Sequence, residues 1–292
     1  MKKVLLGLAI ACLGISVQST AQVYVSQNFV GTTTPGLPTG WTSTLASISG
    51  SPALGWQTTT ASENFYFSSV PNTAPHTEYA VVNDNTDSGN VLAALVTPTF
   101  SLSGSTHATL LYDYFFLGAY YTGPSDQEKA WVDISTDGGT TWTFVDSMNA
   151  ITSVAWNTHS VSLAAYSSAT NCKVRFCYND GSRWNSGCAV GNVSIFNAVA
   201  SDLALTTVAP MTGDAASYGI ASSSVNMTGT VFNNGYTAVS SYTINYIFNG
   251  GATVSNVISG SIAPFSSATF TDPTAVVSRV LQDNTQSKCG FL

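Results

Sequence analysis

The chain is poor in charged residues, and this scarcity excludes several kinds of partner. Only 8% of its 292 residues are charged, with Lys and Arg totalling 8 against 15 Asp and Glu. A basic face for nucleic acid or an anionic lipid surface is therefore not expected, and a net charge of −7 makes both partners unfavourable. Solubility has to come from Ser, Thr, Asn and Gly, a composition common in exported β-proteins.

Long apolar runs are also lacking, except at the N-terminus. Beyond it, no run approaches the ~20 residues of a membrane span. The exception, Val4–Val17, follows Lys2 and Lys3 and precedes the small residues Ser19 and Ala21, which predicts a signal peptide over residues 1–21, cleaved after Ala21. We therefore expect a secreted or cell-surface-associated protein; a lipoprotein signal would instead use Cys12.

Cysteines are sparse, which limits the chemistry they can support. Cys12 leaves with the signal. Cys172 and Cys177 are spaced as C-x₄-C, but no second Cys or His pair accompanies them to complete a zinc site. Nor is a catalytic thiol expected, since no supporting motif surrounds any of them. Cys177 and Cys188 flank one loop and could meet across a hairpin, so a disulfide between them is the prediction for an oxidising compartment.

Strand-like runs separated by turns recur along the chain, and no window beyond the signal shows a helical 3.6-residue period. This regular spacing favours antiparallel β-sandwiches over a parallel sheet, which would need helices between its strands. A boundary near Ala200 separates a first domain, residues 22–200, from a smaller immunoglobulin-like domain, residues 201–275, that lacks a final strand. Residues 276–292 are unpatterned and are predicted to be disordered.

The segment Trp131–Val145 carries the clearest local motif. Two β-rich runs flank the turn formers DGG, an arrangement typical of a hairpin because glycine accepts positive φ. Ser135, Asp137, Gly139 and Trp142 match S-x-D-x-G-x-x-W, the spacing of an Asp box, in which the carboxylate accepts backbone N–H bonds and the Trp packs beneath. The motif indicates a secreted β-module and specifies no reaction.

Residues 23–198 also contain an ordered series of short motifs. The series is Asn28-Phe29, Leu37-Pro38-Thr39-Gly40-Trp41, Val96-Thr97-Pro98, Leu102-Ser103, Ile134–Trp142, Trp156, Leu163, Val174-Arg175-Phe176 and Val190-Gly191-Asn192-Val193. It resembles the MAM-like jelly-roll modules of the cleaved-adhesin or choice-of-anchor J type, which are frequent in exported bacterial proteins. The resemblance implies a jelly roll used for adhesion or glycan contact, often accessory to a protease and often carrying calcium. The expected fold class is all-β: a jelly-roll β-sandwich followed by a smaller immunoglobulin-like β-sandwich.

The calcium expected from this resemblance is weakened by departures from the family pattern. An acidic residue commonly follows the first Phe, and paired acids lie near the last strand; here those positions hold Val30, Gly191 and Asn192. Since Ca²⁺ needs six to eight oxygen ligands and gains affinity with carboxylates, the site is predicted to be weak or absent. Asn83, Asp84 and Asn192 are the residues that could still supply oxygens.

Aromatic residues in predicted loops are the candidate ligand contacts, because aromatic faces stack on sugar rings. Tyr120, Tyr121 and Trp184 lie in polar loops, where binding and packing are both open interpretations. Trp41 and Trp56 are expected to close the sandwich end instead.

No catalytic set accompanies these features. A sialidase would need an arginine cluster, a Tyr nucleophile and an acid on a large propeller, whereas the chain has one Asp box and three arginines. His76, His107 and His159 are scattered and are expected on the surface or in turns. The sequence therefore favours a non-enzymatic adhesion or carbohydrate-binding protein with a glycan or surface protein as partner. The alternative is the N-terminal accessory region of a larger secreted enzyme, such as a protease.

Overall fold

The computed structural model describes residues 21–47, 55–86, 91–119, 123–181, 183, 185–209, 224–247, 252–277, 280–283 and 286–289. These residues divide into two compact units, Ala21–Ala198 and the chain from Val199 onward. Residues 1–20 of the predicted signal peptide lie outside the described residues, so its cleavage stays a prediction. In the described ranges, no helix has the length and apolar character needed to cross a membrane.

The first unit is built almost entirely from β-strands. In chain order they are β1 (Gln22–Gln27), β2 (Thr42–Ser47), β3 (Gln57–Thr59), β4 (Asn64–Phe65), β5 (Ser68–Ser69), β6 (Tyr79–Asn83), β7 (Val91–Val96), β8 (Ala108–Phe116), β9 (Lys129–Ser135), β10 (Thr143–Met148), β11 (Asn157–Ser162), β12 (Lys173–Asn179) and β13 (Gly187–Asn197). Three short 3₁₀ helices, Asp84–Thr86, Pro124–Asp126 and Ala164–Tyr166, interrupt them.

Eleven of these strands form two antiparallel sheets, and β4 pairs with β5 in a separate two-stranded sheet. The six-stranded sheet has the order β11-β8-β13-β6-β3, with β1 also paired to β13, and the five-stranded sheet has the order β10-β9-β12-β7-β2. Strands that follow one another in the chain mostly belong to different sheets, the pattern of a jelly roll. The predicted all-β sandwich is confirmed.

The inner faces of both sheets meet in one core, and β8 shows why its sequence forms a central strand. Alternation places Leu110, Tyr112, Tyr114 and Phe116 in that core. Phe115 points to the opposite face and packs in a second, smaller cluster. Trp41 and Trp56 are buried in the main core, as predicted.

The strand β2 lies in a segment whose sequence shows no clear strand pattern. It pairs with β7 along its whole length, from Thr42 opposite Val96 to Ser47 opposite Val91. Its sequence, TSTLAS, has little hydrophobic alternation because an edge strand beside solvent needs less apolar surface. Only the backbone pairing with β7 identifies this segment as a strand.

In its described residues from Leu203 to Val277, the second unit contains two smaller antiparallel sheets. Its strands are β14 (Leu203–Ala209), β15 (Ser224–Asn233), β16 (Val239–Ile247), β17 (Thr253–Ile262) and β18 (Ser267–Val277). The sheets have the orders β14-β15-β18 and β16-β17, and Val231, Ile244, Ile262 and Phe270 form a core between them. The immunoglobulin-like assignment of this unit stays a prediction.

The predicted disordered tail, residues 276–292, is corrected in its described part. There β19 (Val280–Asp283) pairs with β20 (Gln286–Cys289), beginning with Val280 opposite Cys289.

Candidate functional site

The turn between β9 and β10 is organised by Asp137. Its carboxylate accepts the backbone N–H groups of Thr140 (3.0 Å) and Thr141 (2.9 Å) and the Thr141 hydroxyl (2.7 Å). The Ser135 hydroxyl donates to the same carboxylate at 2.7 Å and accepts the Gly139 N–H at 2.8 Å. Led by the Thr141 hydroxyl, these hydrogen bonds hold the pKa of the Asp137 carboxyl well below its usual range. Gly138 and Gly139 have φ of 76° and 101°, which explains the two glycines.

Strand alternation in β9 and β12 creates a distinct outer surface on the five-stranded sheet. Ala130, Val132 and Ile134 enter the core, so Trp131 and Asp133 face outward. On β12, Val174, Phe176 and Tyr178 enter the core. The alternate residues Lys173, Arg175 and Cys177 therefore face outward. We call this surface the Trp131 face and include in it the neighbouring aromatics Trp142 and Phe144. Its residues are Lys129, Trp131, Asp133, Ser135, Trp142, Phe144, Lys173, Arg175 and Cys177.

The pairing of β9 with β12 sets the rows of this face. Trp131 lies opposite Cys177, Asp133 opposite Arg175, and Ser135 opposite Lys173. In the middle row, Arg175 binds the Asp133 carboxylate through Nε (2.8 Å) and Nη2 (2.7 Å). The guanidinium also lies 4.4 Å from the ring centroid of Trp142, a cation–π contact. Asp133 is 4% exposed, and the Trp142 ring covers its partner Arg175. This ion pair therefore holds β9 and β12 rigidly together.

Two cavities flank Trp131. The larger has a volume of about 390 Å³, and among its lining residues are Lys129, Trp131, Phe144, Ser147 and Asn149. The smaller has a volume of about 230 Å³, and among its lining residues are Thr44, Trp131, Arg175 and Cys177. Phe144 is 59% exposed beside the larger cavity. An aromatic plane between concavities edged by polar side chains is the type of surface that binds polar ligands carrying apolar patches.

The predicted disulfide between Cys177 and Cys188 is wrong. Cys172, Cys177 and Cys188 are free and buried. Cys177 lies on the five-stranded sheet opposite Trp131, whereas Cys188 lies on the six-stranded sheet opposite Phe116. The intervening segment crosses between sheets instead of forming a hairpin. Burial raises the pKa of Cys177 to about 12 and that of Cys188 well above its usual range, so both thiols are protonated at neutral pH.

A buried carboxylate, Glu128, ties together loops beside the Trp131 face. Its oxygens accept the Tyr178 hydroxyl (2.8 Å) and the backbone N–H groups of Ala119 (2.8 Å), Ser186 (3.1 Å) and Gly187 (3.2 Å). The side chain is 2% exposed, and burial raises the pKa of this carboxyl despite those hydrogen bonds. Glu128 therefore fixes the loop that leads into β9 and Lys129.

The predicted calcium ligands do not come together in the structure. Asn83 directs its amide nitrogen at the Glu63 carboxylate (2.9 Å), and Asp84 accepts the backbone N–H of Asn185. Asn192 lies five residues beyond Gly187, the residue that pairs with Asn83. Its amide nitrogen donates to Asp113 at 2.7 Å. In the part of the chain that is described, no cluster of three His, Cys, Asp or Glu is arranged to hold a metal. Asn83, Asp84 and Asn192 thus do not fit a single calcium site.

Asn192 belongs instead to a partly buried polar cluster around Asp113. His76 Nε2 lies 2.8 Å from Asp113 Oδ2, and the Thr158 hydroxyl donates to Oδ1 at 2.6 Å. The His76 ring stacks on Trp156 with centroids 4.2 Å apart. His76 follows a turn closed by its backbone N–H to the Thr73 carbonyl (2.7 Å), but its side chain is buried instead of lying on the surface. A side chain on the neighbouring Gly191 would meet the imidazole at 2.8 Å, so this position needs glycine.

The predicted aromatic contacts Tyr120, Tyr121 and Trp184 lie outside the described residues. The sequence prediction did not include Trp131 and Phe144, which line the larger cavity. Alternation in β9 carried a signal for Trp131, because a large aromatic between Ala130 and Val132 has to face away from the core. Phe144 had no such signal, since a register shift between Phe144 and Asp146 resets the alternation of β10.

No family model and no curated protein matches the chain. Solved structures do. The K3 cleaved adhesin domain of Lys-gingipain from Porphyromonas gingivalis W83 is 17% identical, with a TM-score of 0.40 over 59% of this chain and 98% of that domain. TmCBM61, solved in complex with β-1,4-galactotriose, is 12% identical, with a TM-score of 0.37 over 59% and 99%. A Stig cyclase from Fischerella sp. TAU is 17% identical, with a TM-score of 0.40 over 61% and 98%. Similarity this low carries no conclusion about what this chain binds, which has to be inferred from its own residues.

Proposed function

We propose that this chain is an exported, non-enzymatic adhesion or carbohydrate-binding protein of a bacterial cell surface. Its first unit would be a MAM-like jelly roll of the cleaved-adhesin type that binds glycans through the Trp131 face. One observation carries the proposal: an indole on a central stretch of sheet, outward-facing, with a cavity on each side.

The position of Trp131 on strand β9 favours binding over mere packing. Hydrogen bonds to β10 and β12 hold its backbone on both sides, and the Asp133–Arg175 pair lies in the next row. The ring is therefore presented in a fixed place before a ligand arrives, which reduces the entropy lost on binding.

The surroundings of the ring suit a sugar. A pyranose offers an apolar face of C–H groups for stacking and hydroxyl groups around its rim. Ser147 and Asn149 line one cavity and Thr44 the other, so hydrogen-bonding groups lie on both sides of the stacking plane. Tyr120, Tyr121 and Trp184 remain proposed contacts from the segments that precede β9 and follow β12.

The test is a glycan array followed by calorimetric titration of each polysaccharide that binds, using the chain from Gln22 onward. Trp131→Ala should weaken binding at least tenfold, about 1.4 kcal/mol, because truncation removes the stacking surface. Phe144→Ala should give a smaller loss. Tyr121→Ala and Trp184→Ala measure the loop contributions in the same assay.

Phe67→Ala is the matched control, since Phe67 is another aromatic, 51% exposed, between β4 and β5 and away from the Trp131 face. It should leave the affinity unchanged. Unaltered binding by Trp131→Ala would exclude the Trp131 face as the site. Failure of the wild-type chain to bind any glycan would overturn the proposed function.

A further inference from the structure

The few cations of the first unit are concentrated on one surface. Between residues 21 and 198 the sequence contains four, Lys129, Lys173, Arg175 and Arg183. Lys129 begins β9, while Lys173 and Arg175 lie on β12, and all three belong to the Trp131 face. The acidic composition of the chain conceals this grouping, because the residues come from strands far apart in sequence.

The acidic residues near these cations do not form ion pairs with Lys129 or Lys173. Asp133 is the one acid among the outward residues of β9 and β12, and Arg175 neutralises it. Asp146 of the edge strand β10 contacts His159 of the other sheet. Among the described residues, no carboxylate comes within ion-pair distance of Lys129 or Lys173. Both lysines of the face therefore have no ion-pair partner among the described residues, on a chain with a net charge of −7.

Each lysine accompanies an aromatic ring. Lys129 lines the larger cavity together with Trp131 and Phe144. At the other end, a side chain on Gly139 would meet Trp142 at 3.5 Å and the Lys173 side chain at 3.6 Å, which places that lysine beside the indole. Lys173 pairs with Ser135, six positions along β9 from Lys129, so the two lysines are about 20 Å apart along the strands.

We propose that the ligand of the Trp131 face is an anionic polysaccharide, one whose repeating carboxylate or sulfate groups meet Lys129 and Lys173 while its rings stack on the aromatic side chains. This inference rests on the proposed function and specifies its ligand class. The separation of the two lysines is too large for one sugar and requires a polymer. A nucleic acid also carries repeating anions, but Ser147, Asn149 and Thr44 beside the aromatic rings suit the hydroxyl groups around a sugar ring.

The experiment compares polygalacturonate with the same polymer after reduction of its carboxylates to alcohols, and adds chondroitin sulfate and a single-stranded oligonucleotide. Titrations use the chain from Gln22 onward at low and high NaCl. The anionic polymers should bind more tightly than the reduced one, and salt should remove the difference. Lys129→Gln and Lys173→Gln should each lower the affinity for an anionic polymer about two- to fivefold, and the double variant more.

Arg183→Gln is the matched control, because Arg183 is the remaining cation of the unit and lies near Asp126 at 3.6 Å instead of on the Trp131 face. It should bind like the wild type. Equal affinity for the acidic and reduced polymers, still lost in Trp131→Ala, would overturn this inference and leave the proposed function standing. Absence of binding to every polysaccharide, or lysine-dependent binding of the oligonucleotide alone, would overturn both.

Discussion

At the scale of single residues, one exposed carboxylate determines the shape of the β9–β10 turn. Asp137 accepts hydrogen bonds from two backbone N–H groups and two hydroxyls, and the depressed pKa of its carboxyl records their preference for the ionised form. The same turn positions Trp142 over Arg175. The effect of Asp137 therefore extends to the Trp131 face.

Replacement of Asp137 by Ala should lower the melting temperature by a few degrees at neutral pH. Because the folded-state pKa lies below the unfolded value, this contribution is present above the unfolded pKa of about 4 and is lost as the pH falls toward the folded pKa. The gap between wild type and variant should thus narrow from pH 7 to pH 2 in thermal melts. Thr136→Ala, at an exposed neighbour, should behave like the wild type; a gap independent of pH would contradict the role of the charge.

At the scale of elements, Asp113 is a junction between strands. It lies on β8, faces Thr158 on β11 and Gly191 on β13, and receives Asn192 from the bulge in β13. Replacement by Ala leaves His76, Thr158 and Asn192 without their shared acceptor. We expect a loss of about 1–3 kcal/mol in the free energy of unfolding, measured with urea. Asn157→Ala, an exposed neighbour of Thr158 on the same edge strand, should cost clearly less; equal losses would show that the carboxylate is not a junction.

The separation of Cys177 and Cys188 onto different sheets makes a direct chemical prediction. All thiols of the chain from Gln22 onward should react with an alkylating agent after denaturation without reductant. In the native protein at pH 8, Cys177 and Cys188 should react slowly, because burial and raised pKa values keep them protonated. Intact-mass spectrometry distinguishes these states. If the intact protein has a mass two hydrogens below that of the fully reduced chain, and reductant removes the difference, a disulfide is present and the prediction of free thiols is wrong.

Local pattern in the sequence was sufficient to predict many strands and insufficient to predict which sheet each one joins. The apolar alternation of Ala108–Phe116 and the β-rich run Ser224–Asn233 marked β8 and β15 to the residue. The polar edge strand β2 left no such pattern. Sheet membership depends on pairing between distant segments, and for that reason the interpretation of Cys177 and Cys188 as neighbours across a hairpin failed.

At the scale of the whole molecule, two compact units share one chain, and each has its own core. Calorimetry of the chain from Gln22 onward should therefore show two unfolding transitions. A fragment of residues 22–198 should reproduce one of them at nearly the same temperature. Failure of the fragment to unfold cooperatively would show that the first unit depends on the second.

The charge distribution shows what composition alone could not predict. A count of 8 cations against 15 acids excludes a broad basic face. It cannot show that Lys129 and Lys173 reach the same outer surface, because that follows from the register of β9 on β12. The sequence predicts an aromatic ligand-binding surface in kind, and this stays a prediction; which aromatic and basic residues share one face required the three-dimensional pairing.

The alternation of successive strands between the two sheets also affects how quickly the first unit can form. Its central pairing joins Leu110 of β8 to Ile195 of β13, and β12 pairs with β7 across a similar span of chain. Segments distant in sequence must meet before the central strands of either sheet can pair. The chain therefore loses loop-closure entropy before it gains most of its contacts. We expect folding over milliseconds to seconds, the range of about 10⁻³ to 1 s seen in all-β sandwiches.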